Sequence, residues 1–245
     1  MAGSNPYTVS LIAKLEARDD LSADEREVID TMLGEVRIVN AGEDIVRDGD
    51  RPLHSTLLID GFASRYKVLA EGERQLTAIH VPGDFVDLHS FQLKEMDHAV
   101  GALSTCRVAT VPHTTLERLS RTHPHLTRLF WLLTLIDGSC HREWLVAMGR
   151  RPAIGQLAHL LCELSLRLEV IGAVQAGSFR LPITQIELGD VLGLSSVHVN
   201  RTLQELRGTG QISWKGQTVT ILDWDGLRRT AEFDPRYLHL VKEPR

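Results

Sequence analysis

The chain has 245 residues, 43% hydrophobic and 24% charged, enough for two folded domains with their own cores and unlike a disordered or disulfide-stapled sequence. No run approaches the ~18 consecutive apolar residues of a membrane span, and the first thirty residues carry too many charges for a signal peptide, so the reading is cytoplasmic with no membrane partner. Net charge is −5 but unevenly spread: residues 1–149 hold 15 Lys and Arg against 22 Asp and Glu, whereas residues 150–216 hold 7 against 5 and form the only net-basic block.

Three cysteines, Cys106, Cys140 and Cys162, lie far apart with no CxxC pair. That excludes a zinc site or a cysteine-held cluster by spacing and predicts free thiols in a reducing compartment.

In chain order, helices are predicted around 7–15 and 22–33, the second opened by Ser22 and Glu25 at capping-box spacing. From Val36 to Pro112, short β-rich runs at 35–39, 44–46, 55–59, 64–69, 74–80, 85–86, 99–103 and 107–111 alternate with Gly- and Asp-rich turns. This is the pattern of a small β-sandwich or barrel.

The period then changes. After a short helix at 114–120, Pro124 can open a long one. Leu126, Leu129, Leu133, Ile136, Cys140 and Ala147 recur at heptad spacing in it, and the first five are the predicted homodimer interface. The alternative is that this helix packs wholly on its own β-domain. Residues 149–152, Gly-Arg-Arg-Pro, break it, and a further helix follows at 153–169.

Residues 181–222 carry the sharpest signal. Thr184 and Glu187 form a second capping box, Ile186, Leu188, Val191 and Leu192 supply a buried side, Gly193 permits a turn, and Ser195 can cap the next helix. In that helix Val199, Leu203 and Leu206 share the inner face. Ser196, Val197, His198, Asn200, Arg201 and Gln204 remain outside, with Thr184, Gln185 and Ser195 at the flanking caps. Arg pairs bidentately with guanine, Asn with adenine, and an aliphatic side chain touches the thymine methyl. Helix, tight turn and polar-faced helix predict a helix-turn-helix that binds double-stranded DNA. Runs 212–214 and 218–221 flank Lys215-Gly216, a predicted two-residue hairpin turn that makes a wing and puts Lys215 at phosphate. A short helix capped by Asp225 and reaching Glu232 is predicted in the tail.

On these residues the whole chain resembles the Crp/Fnr family of transcription regulators. The string ITQIELGDVLGLSSVHVNRTLQELRGTGQISWKGQTVTI is similar to the family's helix-turn-helix, and AGEDIVRDGD, DGFASRYKVL and VPGDFVDL to its N-terminal landmarks. The resemblance implies an α+β chain in three parts: a cyclic-nucleotide-binding-like β-roll (1–123), a dimerisation helix (124–149) and a winged helix-turn-helix (150–245). It further implies operator DNA, a second copy of the chain and RNA polymerase as partners.

The departures are specific. Where cyclic-AMP-binding members start their phosphate cassette with Gly-Glu-Leu, this chain has Asp87-Leu88-His89, and the Arg-Ser pair falls on His98-Ala99. These five residues are the candidate effector pocket, and their chemistry implies that cyclic AMP is not the effector. The N-terminal cysteine cluster of oxygen-sensing members is absent. His80, His89 and His98 are the candidates for the axial role that haem-sensing relatives require, and the residues otherwise imply no metal or cofactor. Where many members carry Glu, the reader helix has Val197, which implies a different half-site.

Two other functions compete. A cupin-type enzyme needs a His-x-His pair on strands, but the one pair here is His123-Pro124-His125 at a helix start. An effector-binding regulatory protein without a DNA role would lack the reader helix and wing.

Overall fold

The computed structural model describes residues 5–245, which form two compact units. Unit 1 takes the chain up to Tyr66, with Ile79–Gly138 and His239–Arg245. Unit 2 takes Lys67–Ala78 and Ser139–Leu238. Among the described residues no helix is long and apolar enough to cross a membrane.

In unit 1, α1 (Val9–Glu16) and α2 (Ala23–Thr31) lead into the strands. Ser22 Oγ accepts the Glu25 N–H at 3.2 Å while the Ser22 N–H donates to Glu25 Oε2 at 2.9 Å, so the capping box forms as read. Strands β1 (Val36–Val39), β7 (Cys106–Pro112) and β3 (His54–Asp60) make one antiparallel sheet, in that order. A second runs β2 (Asp44–Val46), β6 (Ala99–Ala102), β4 (Ala63–Val68), β5 (Arg74–His80), most of the last being counted in unit 2. The expected strand at 85–86 is only an isolated bridge from Phe85 to Leu57. A one-turn helix, α3 (Ser90–Leu93), follows it and was not anticipated.

Strand β3 is apolar on consecutive residues because both its faces are covered. Leu58 joins Val39, Val86, Val100 and Val108 in one cluster, and its neighbour Leu57 points the other way into a cluster with Leu11, Ile29, Leu116, Leu126 and Leu129. The second cluster is where α1, α2, α4 (His113–Thr122) and the start of α5 (Pro124–Arg150) cover the sheet. His123 Nε2 lies 3.0 Å from Asp24, and His125 sits between Glu25 (2.6 Å) and Asp19 (3.2 Å), so the His-x-His pair ties α5 to the N-terminal helices. The tail joins the same region: the Glu243 N–H donates to Arg18 O at 2.9 Å and the Arg245 N–H to Asp19 Oδ2 at 2.6 Å.

Unit 2 is built on α6 (Ala153–Glu169), against which α9 (Trp224–Ala231) packs. The cap of α9 is Asp223, whose side chain accepts the Gly226 N–H at 2.9 Å, and not Asp225, which sits inside the first turn. Cys162 and, in unit 1, Cys106 are buried free thiols whose pKa values burial pushes up to about 12 and about 11. Cys140 is free and half-buried.

His159 is almost wholly enclosed between Phe233 and Tyr237. Burial first, and the Arg151 cation second, hold its pKa down at about 4. An unfolded imidazole titrates near 6.5, so above that pH both states are neutral and stability is complete. As pH falls from about 6.5 to about 4 the unfolded chain binds a proton that the folded chain refuses, and stability is lost by up to about 3 kcal/mol. His159→Leu should flatten this acid limb in urea titrations run from pH 7 to pH 4. An unchanged limb would show that His159 is not its source.

Candidate nucleic-acid interface

The reader is assembled in unit 2 from α7 (Gln185–Leu192), α8 (Ser196–Gly208) and the sheet β8 (Ser178–Arg180), β10 (Thr218–Ile221), β9 (Ile212–Lys215). Thr184 caps α7 as read: its Oγ1 accepts the Glu187 N–H at 3.2 Å, and its own N–H donates to Glu187 Oε2 at 2.7 Å. Of the expected inner residues, Leu188, Val191 and Leu192 are buried, but Ile186 is 66% exposed, so the buried stripe is narrower than the apolar pattern.

The turn depends on two glycines. Gly193 ends α7 at φ +64°, where a Cβ is strained. A Cβ on Gly189 would stand 2.6 Å from the Leu194 carbonyl oxygen, so the close approach it permits is to the turn's backbone first and to Val199 of the second helix next.

Ser195 caps α8 by accepting the His198 N–H at 3.4 Å. Val199, Thr202, Leu203 and Leu206 point inward; Ser196, Val197, Asn200, Arg201 and Gln204 are exposed, and His198 is half-buried. Val197 is 83% exposed. Gln204 Nε2 donates to Asn200 Oδ1 at 2.9 Å, and Gln185 Oε1 lies 3.5 Å from Asn200 Nδ2, which aligns three amides from α7 and α8 on one surface. Arg201 has no hydrogen bond or ion pair among the described residues. Its guanidinium can meet a base edge without first breaking an internal pair.

The wing differs by one residue from expectation. Lys215 is the last residue of β9, paired with Thr218, and the two-residue loop is Gly216-Gln217. Lys215 is still exposed beside the tip. The third strand, β8, was not read. It brings exposed Arg180 to the same edge, with its guanidinium donating to Gln217 Oε1 at 3.0 and 3.1 Å. Three residues after a Gly turn are too short a run for periodicity to detect. Within unit 2, Arg74 pairs with Asp190 of α7 at 2.7 Å, and Gln75 donates to the Asp190 carbonyl at 2.6 Å, fixing the α7 backbone.

The candidate effector residues lie in unit 1. Asp87 is fully buried and committed: it accepts the Thr56 N–H and, at 3.2 Å, the Thr56 hydroxyl, and burial lifts its pKa to about 7. It clamps β3 instead of facing a pocket. Leu88 and His89 line a cavity beside α3, and Ala99 is buried at the start of β6. The His89 and His98 rings meet with centroids 4.9 Å apart, and His98 Nδ1 lies 2.6 Å from Asp97. Their Nε2 atoms are buried without a hydrogen-bond partner. Burial, and then the Arg65 cation, depress both pKa values, that of His89 to about 4.

Arg65 is the residue that sequence reasoning missed. It sits on β4, 5% exposed, and its guanidinium pairs with Asp137 of α5 at 2.8 Å. An Arg in a strand of mixed polarity carries no mark of burial. His80 is buried on β5. Among the described residues no group of three or more His, Cys, Asp or Glu is placed to hold a metal ion.

Most of the expected dimer residues lie inside unit 1. Leu126 and Leu129 have no exposed surface, because this face of α5 fills unit 1's own core, and Ile136 is buried too. Leu133 is partly buried against the same core, and Cys140 is half-buried. The exposed apolar residues of α5 are Trp131, Leu135, Leu145 and Val146.

Residues 155–230 match the Crp-like helix-turn-helix domain, and residues 36–123 match the cyclic nucleotide-binding domain. The chain is 28% identical over 212 residues to electron transport regulator A of Shewanella oneidensis, covering 86% of this chain and 84% of that one. It is 28% identical over 204 residues to the transcriptional activator protein anr of Pseudomonas aeruginosa, covering 83% of each. Among solved structures, FixK2 from Bradyrhizobium japonicum superposes with a TM-score of 0.71 at 23% identity, covering 80% of this chain and 96% of that one. With both domains matched in this order, and with α5 running between the two matched segments, the chain is a DNA-binding transcription regulator and belongs to the Crp/Fnr family.

Proposed function

We propose that the chain acts as a cytoplasmic, non-catalytic homodimer that reads an operator with the exposed face of α8, contacts phosphate from the wing, and responds in unit 1 to something other than cyclic AMP. The proposed partners are double-stranded DNA, a second copy and RNA polymerase. One observation carries the reading: α8 buries Val199, Leu203 and Leu206 while leaving Val197, Asn200, Arg201 and Gln204 in water. That is a surface stocked for base edges, held rigid from behind.

Arg201→Ala should weaken operator binding by about 1–3 kcal/mol and relax preference at one base pair. Lys215→Ala and Arg180→Ala should each weaken all sequences alike and lower the slope of log affinity against log salt by about one. Mobility shifts across a salt series with operator and scrambled DNA separate the two. An Arg201→Ala protein with intact sequence preference would overturn the docking.

For cyclic AMP, the pocket offers neutral imidazoles and a cation, Arg65, that Asp137 already neutralises. A buried cyclic phosphate needs a charged, hydrogen-bonding partner. Calorimetry with millimolar cyclic AMP should show no saturable heat and no change in operator affinity; micromolar binding would refute this.

A further inference from the structure

Unit 1 holds a cavity of about 600 Å³ between α3, α4 and the first half of α5. Its walls are Leu88, Phe91, Leu116, Leu119, Phe130 and Trp131, and His89 and Gln92 also line it. The volume lies in the range of small-molecule sites, about 300–1,000 Å³, and far exceeds the voids tolerated in a packed core. Apolar walls with a few polar groups are the usual lining of such sites.

The lining selects the ligand. Among the described residues no Lys, Arg, Asp or Glu faces the cavity, in a chain that is 24% charged. An ionised ligand would lose its hydration there with no counter-charge. The hydroxyls that line it have already placed their hydrogens: Ser120 Oγ donates to Glu117 O at 2.7 Å, Thr127 Oγ1 to His123 O at 3.0 Å, and Thr134 Oγ1 to Phe130 O at 3.4 Å. They can only accept further bonds. Leu93, largely exposed, completes the lining and leaves apolar surface for a bound molecule to cover.

We infer that this cavity binds an uncharged, largely apolar small molecule carrying a hydroxyl or N–H donor, and that it is an effector site distinct from the Asp87–Ala99 cassette pocket. The inference rests on reading unit 1 as a sensor. A second copy would meet α5 along a convex helix face, which covers Trp131 but leaves a recess enclosed by three helices unfilled. Two walls make the site consequential. Thr127, Phe130, Trp131 and Thr134 belong to α5, and the His89 ring meets that of His98 beside the Arg65–Asp137 pair, which ends on the same helix.

The test uses 2-naphthol as probe and 2-methoxynaphthalene as its donor-less counterpart, each titrated into the full-length protein by calorimetry. The expected result is one saturable 2-naphthol site per chain and at least tenfold weaker binding of the ether. Thr134→Phe and Ser120→Trp, which fill the cavity from α5 and α4, should each weaken 2-naphthol at least tenfold. Methyl NMR of the unmutated protein should confine the largest shifts to Leu88, Leu93, Leu116 and Leu119, which keeps the test valid if a filled variant folds poorly. Four results would overturn the proposal: no saturable binding, equal affinity for the two probes, shifts elsewhere in the protein, or binding only to a monomeric variant carrying both Leu135→Glu and Leu145→Glu. The last would assign the cavity to the partner copy. Operator binding without probe is measured in parallel. Its loss in the unmutated protein would refute the regulator reading while leaving the cavity result standing.

Discussion

Glu163→Ala should destabilise unit 2 by about 3–5 kcal/mol, the cost of removing one partner from a buried charged network. Glu163 has no exposed surface, yet it lies mid-helix on α6 among Leu157, Leu160, Leu161 and Leu164. Its carboxylate is used in full. Oε2 accepts from Trp144 Nε1 at 3.1 Å and from the Tyr237 hydroxyl at 2.8 Å, and Oε1 accepts from Arg167 at 2.9 Å. Burial, and then the neighbouring carboxylate, raise the Tyr237 pKa, so the phenol remains a donor throughout the working range. Removing the carboxylate deprives two enclosed donors of their acceptor, each costing about 1–3 kcal/mol, and strips a charge from beside Arg167. Thermal unfolding should show the midpoint falling by about 10 °C or more, and Glu163→Gln, which retains one acceptor oxygen, should fall between alanine and the parent. If alanine is tolerated within 1 kcal/mol, the network is dispensable packing.

What could be read in the sequence was what is decided locally. Both capping boxes, the Gly193 turn and the breaks around Pro124 and Pro152 depend on residues within four positions of one another, and all form as read. Seven of the strand runs follow the same logic, since turn residues punctuate them. Contacts across the fold were not legible. Glu163 and His159 look like the polar positions of an amphipathic helix, and only the arrival of Tyr237 and Phe233 from much later in the chain makes them interior. Arg65 is likewise defined by Asp137, seventy-two residues on. The resemblance places Asp87 in the cassette, but its burial against Thr56 depends on a strand thirty-one residues earlier.

Helix α5 yields the prediction with the largest expected functional effect. The helix carries two apolar stripes. The more regular one, with Leu126 and Leu129, is consumed by unit 1's own core, so charges at Leu133 or Ile136 would injure the fold before they separated any subunits. The other stripe runs Trp131, Leu135, Gly138, Arg142, Leu145 and Gly149, at alternating spacings of four and three. Trp131 is 66% and Leu135 54% exposed. Three large apolar side chains, Trp131, Leu135 and Leu145, left in water at coiled-coil spacing make a surface a second helix would cover, and the two glycines allow close approach. If a second copy supplies that helix, two α8 readers address half-sites about one helical turn apart. Linking two readers raises affinity by about 10²–10⁴ over one. Leu135→Glu with Leu145→Glu should therefore give a folded monomer in sedimentation, with operator affinity lower by that factor and affinity for a single half-site unchanged. Persistence of the dimer in this double variant would place the interface elsewhere. A monomer that still bound the full operator at parental affinity would mean that each reader acts alone.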